Sequence, residues 1–121
     1  MYQYSYALEK FNRAIHTLST AEGDVRERLH AAFSDELLMI TSKHLPNKLE
    51  KDFKWALRQL TKYDETYEGQ KKVFETKDGR LDTYLPTRLA ATCQRIKNSS
   101  GAKVAKKVFH IWQVLNEEFS K

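Results

Sequence analysis

The sequence predicts an all-α fold: a single domain spanning residues 1–121, with about five helices packed as an irregular bundle. Three observations predict it. Apolar residues recur at i, i+3, i+4 and i+7 along most of the chain, the period of a helix with one buried face. Interruptions are few and fall between those stretches, at TAEGD, TSKHLP and KNSSG. The chain has 121 residues, of which 40% are hydrophobic and 31% charged, enough to build one core and too short for two.

The elements follow in order. Tyr4, Ala7, Leu8, Phe11, Ala14, Ile15 and Leu18 form one face of a first helix over about residues 3–19. Gly23 breaks it, and Asp24 to Glu27 has the spacing of a capping box that opens a second helix. Val25, Leu29, Ala32, Phe33, Leu37 and Ile40 point inward from that helix. Pro46 fits the first turn of a third, where a missing N–H costs nothing, and Leu49, Phe53, Ala56, Leu57 and Leu60 make its buried face.

From Tyr63 to Arg80 the period lapses. The Asp78-Gly79 pair favours a tight turn, so a small hairpin and a long loop both remain open there. Pro86 reopens helical sequence. Leu85, Leu89, Thr92, Cys93 and Ile96 define a fourth helix ending near Asn98. Ser99 or Ser100 then caps a fifth, with Val104, Ala105, Val108, Ile111, Trp112, Leu115 and Phe119 inward.

Charge is distributed unevenly. The net charge is +5. Between Asp82 and Glu117 there is no acid, while Arg88, Arg95, Lys97, Lys103, Lys106 and Lys107 all fall in that stretch. The whole excess therefore sits in the C-terminal third, which points to an anionic partner. Within RIKNSSGAKVAKK, Ser99, Ser100 and Gly101 form a pivot at a helix start, where free amides attract anions. The same three residues equally suit a plain αα corner. Neither the strand nor the spacing of a P-loop is present.

A second basic surface lies on the third helix. Lys48, Lys51, Lys54, Arg58 and Lys62 fall within about 120° of arc opposite the Leu/Phe stripe, with Trp55 among them. Lysines around an indole suit phosphates and a stacked base. The alternative is an indole covered by a neighbouring element, with lysine stems lying over it. Glu50 and Asp52 flank the arc and weaken its field.

Chemistry-bearing sets are sparse. His16, His30, His44 and His110 occupy separate elements without metal-ligand spacing, and Cys93 is alone on an apolar stripe. Neither a catalytic residue, a metal nor a cofactor is expected. The Arg-x4–6-His mark of HEPN ribonucleases is missing, because Arg26 and His30 stand too close. No apolar run approaches a membrane span, and the charged Glu9 and Lys10 argue against a signal peptide, so the expected location is the cytoplasm and no membrane partner is expected.

In ALEKFNRAIHTLS, GDVRERLHAAF, WALRQLTK and RIKNSSGAKVAKKVF the chain resembles a group of short, uncharacterised bacterial proteins, with 63–80 the most divergent part. The resemblance implies a bacterial cytoplasmic protein and adds no site residue.

The expected function is that of a small non-enzymatic binding protein whose ligand is DNA or RNA. Its phosphate contacts would come from Arg88, Arg95, Lys97, Lys103, Lys106 and Lys107, joined by Lys51, Lys54, Trp55, Arg58 and Lys62 if the fold places both surfaces together. The alternative is a protein–protein adaptor or regulator of toxin–antitoxin or phage-defence type, meeting an acidic protein surface, or a homodimeric module. An enzyme with 63–80 as its lid is the third reading.

Overall fold

The computed structural model describes residues 4–63 and 85–119. Five helices follow the predicted order: α1 (Ser5–Thr20), α2 (Val25–Asp35), α3 (Asn47–Leu60), α4 (Leu85–Cys93) and α5 (Asn98–Glu118). The hairpin or loop expected over 63–80 falls, but for Tyr63, outside the described residues. Among the described residues no helix is long and apolar enough to cross a membrane.

The long α5 packs on α1, α2 and α3, while α2 also packs on α1 and α4. Each helix buries the centre of the stripe its sequence period marks: Ala7, Phe11 and Ala14 from α1, Leu29, Ala32 and Phe33 from α2, Leu49, Phe53, Ala56 and Leu60 from α3. Val104, Val108, Ile111 and Leu115 of α5 join them in one core cluster. Leu8, Ile15, Leu18, Val25, Leu57, Ala105 and Trp112, also expected inward, are partly buried at the edges of those stripes. Polar ties fix the edges. The Trp112 indole donates to Asn12 Oδ1 at 2.6 Å, joining α5 to α1. The Tyr63 amide donates to the buried Thr92 hydroxyl at 2.9 Å, joining the end of α3 to α4.

Three boundaries differ from the sequence reading. Leu37 and Ile40 are buried as expected, but α2 ends at Asp35 and the chain continues as short 3-10 turns, Leu37–Met39 and Ser42–His44. Pro46 stands just before α3, in extended conformation, and its carbonyl accepts from the Leu49 amide at 2.9 Å. α4 ends at Cys93, and α5 starts at Asn98 with Lys97 in the capping position, so neither Ser99 nor Ser100 is the cap.

Gly101 falls inside the first turn of α5. A Cβ on this glycine would lie 3.1 Å from Val25 Cγ1 and 3.5 Å from Leu29 Cδ1. Its missing side chain lets α5 approach α2 closely, so Gly101 is a packing residue inside the first turn and not part of an open phosphate pivot. Gly101→Leu should cost about 1–3 kcal/mol by overpacking, read as a lower urea midpoint.

The capping box of α2 forms as expected. Asp24 Oδ1 accepts from the amides of Arg26 at 3.0 Å and Glu27 at 3.1 Å, and Glu27 Oε1 accepts from the Asp24 amide at 3.2 Å. The turn into it uses Gly23 at φ 100°, a left-handed conformation glycine tolerates. The Arg26 guanidinium also donates to Asp24, and that bond, with the Glu27 amide, holds the Asp24 carboxyl below the usual carboxylate range. A depressed carboxyl stabilises the fold above its unfolded pKa and loses that contribution as pH falls through the folded value. Wild type should therefore be more stable than Asp24→Asn at neutral pH, and the two urea midpoints should converge in acid, once pH has fallen through the lowered value of that carboxyl.

Candidate nucleic-acid interface

Part of each basic surface meets the other. α3 and α5 run antiparallel, as two ion pairs and a shared concavity show. Lys48 Nζ lies 2.7 Å from Glu118 at one end. In the middle, Lys107 Nζ lies 3.3 Å from Asp52 and 5.7 Å from the centre of the Trp55 ring. At the other end the C-terminal turn of α3 faces the start of α5 across a concavity of about 190 Å³. Trp55, Gln59 and Lys62 form one wall; Ile96, Ser100, Lys103 and Val104 form the other.

Helical spacing explains the arrangement. Trp55 and Gln59 are four residues apart on one ridge of α3, and Lys62 follows just beyond the helix end. Ser100, Lys103 and Lys107 are three and four residues apart on α5. The ridges flank the buried stripes, so the long cationic side chains reach outward while the indole leans on the core. Trp55 is half-buried, combining the covered and the accessible readings of the sequence.

The electrostatics favour an anion. α5 begins without a side-chain cap and without an acid in its first turn, so its amide end keeps its partial positive charge. Lys62 and Lys103 make no ion pair among the described residues; the Lys62 ammonium sits 5.8 Å from the Tyr63 ring centre. Asp52 is the opposing charge. It holds Lys107 and stands 3.8 Å from His110 Nε2, neutralising the middle of the groove and leaving its α5-start end most positive.

The predicted site residues therefore separate. Trp55, Lys62, Ser100, Lys103 and Lys107 come together at the groove. Lys51, Lys54 and Arg58 are exposed one step further round α3, on the solvent side of that ridge. Arg95, Lys97 and Ser99 are exposed around the α4–α5 corner. Arg88 is fully buried in α4 and cannot meet a ligand in solvent. Lys106 lies across α5 and lines a different groove, with Leu18, Val25 and Phe109. Gln59, Ile96 and Val104 complete the site although sequence reasoning did not single them out; Gln59, one turn after Trp55 on the same ridge of α3, was within reach of helical spacing.

A second polar concavity, beside α2 and α4, is lined by Arg26, Glu27, His30, Cys93 and Gln94. Its two charged side chains are engaged. Arg26 donates to Asp24 and to the Ile96 carbonyl, and Glu27 belongs to the capping box. Burial pushes the Cys93 thiol up to about 12, so it carries no thiolate at neutral pH. Among the described residues no cluster of histidine, cysteine, aspartate and glutamate has a metal-holding arrangement. No family model matches the chain, and no curated protein or solved structure matches it.

Proposed function

We propose that the protein is a binding module for nucleic acid, acting in a bacterial cytoplasm through the groove between α3 and α5. The observation that carries this reading is the convergence of Trp55 and Lys62 with Ser100 and Lys103 beside the uncapped start of α5. Lysines and helix amides supply phosphate contacts, and the indole supplies a face for a base or sugar. A groove of about 190 Å³ is smaller than the roughly 300–1,000 Å³ of small-molecule sites, which favours a strand laid across it over an enclosed ligand.

The test is fluorescence anisotropy with labelled single- and double-stranded DNA and RNA at several salt concentrations. Contact with about five phosphates gives a log–log slope near −4 to −5. Binding that ignores salt, or no binding at about 50 mM salt, rejects the reading. Asp52→Asn removes the charge that occupies Lys107, so it should tighten binding by up to about tenfold and steepen the slope by about one.

A further inference from the structure

On its other flank α5 borders a second groove of about 480 Å³, against the α1–α2 corner. Its floor and walls are apolar: Leu18, Val25, Ala105 and Phe109. Phe109 is 48% exposed, one of three large hydrophobic side chains so exposed among the described residues, and its ring packs 5.4 Å from that of Trp112. Two cations stand in the lining, Arg28 and Lys106, and no carboxylate does. Arg28 is held by carbonyls, donating to Leu18 at 3.0 Å and Asp24 at 3.4 Å, so its charge is fixed in place without being neutralised. Lys106 makes no ion pair among the described residues.

We infer that this groove is a docking site for an acidic amphipathic helix of a partner protein. Charge selects the occupant. A second copy of this chain, docked groove to groove, would bring both copies' Arg28 and Lys106 into one interface whose lining holds no acid. A helix with apolar residues on one face and glutamate or aspartate beside them satisfies both the apolar floor and the two cations. Length agrees. From Ala102 to Phe109 the wall runs seven residues, about 10 Å, or two helical turns. That admits anchors at i, i+4 and i+7, with Phe109 closing one end. The groove is separate from the α3–α5 face, so the inference does not depend on nucleic-acid binding.

The experiment is selection of a phage-displayed library of random peptides of about sixteen residues on the full chain, followed by anisotropy of the strongest synthetic peptide. Enriched peptides should carry apolar residues at helical spacing with acids beside them. Phe109→Ala should weaken the peptide at least about tenfold and Lys106→Glu about fivefold, while Lys43→Glu, an equal charge change at an exposed position elsewhere, should change it less than about twofold. Absence of enrichment, enrichment of peptides without acids, or affinity indifferent to Phe109→Ala overturns the inference. So does a dimer in sedimentation velocity that Phe109→Ala dissociates, because the groove would then hold a second copy.

Discussion

Reversing the charge of Lys62 and Lys103 together is expected to lower affinity for a short oligonucleotide about 100-fold at about 50 mM salt. The two lysines stand on opposite walls of one groove, one from the segment just beyond the end of α3, the other from the second turn of α5. Neither is held by a carboxylate among the described residues, whereas Lys107 is tied to Asp52 and Lys48 to Glu118. They are therefore the groove cations with least to give up on meeting a phosphate. Each reversal removes a phosphate partner and sets a carboxylate in its place, worth about tenfold each, and the salt slope should flatten by about two. Urea unfolding of the double variant serves as the control, since both side chains leave the core untouched. An affinity within about threefold of wild type would move the interface away from this groove.

The largest stability effect is expected at Phe53. Phe53→Ala should cost about 3–5 kcal/mol. Its ring meets Phe11 edge-on at 6.0 Å and lies nearly parallel to Phe33 at 6.4 Å, so one side chain of α3 joins α1 and α2. It is 3% exposed and its two partners are fully buried, which leaves no route for solvent to refill the space. Against a total stability of about 5–15 kcal/mol, the loss is a large share. Phe53→Leu keeps much of the volume and should cost less than half as much. Urea midpoints, read with an unchanged m-value, distinguish the two.

The helices were legible because periodicity reports burial directly: Phe11, Phe33, Phe53 and Val108 occupy the interior their spacing marks. Where position and residue type disagreed, type misled. Arg88 lies three residues after Leu85 and four before Thr92, on the inward stripe of α4, yet its charge argued for the surface. Gly101 was read as a turn residue because glycine ends helices more often than it packs them. Its role depends on Val25 and Leu29, which are far away in sequence. The Leu37–Ile40 spacing fits an α-helix as well as the 3-10 turn that is present, since both place those side chains inward. Both basic surfaces could be drawn from sequence. Their meeting could not, because it follows from antiparallel packing of α3 on α5, and the same packing turns Lys106 to the opposite flank.

Arg26 has a further consequence. One guanidinium grips Asp24 at 2.9 Å and the Ile96 carbonyl at 3.0 Å, so the opening turn of α2 and the corner that carries Ser100 and Lys103 share a fastening. Local opening of either should loosen the other. Amide exchange at Arg26 and Glu27, whose N–H groups Asp24 holds, thus becomes a remote gauge of the groove. Occupancy that stills the corner should slow deuterium uptake at those two amides, and Arg26→Ala should uncouple the signal.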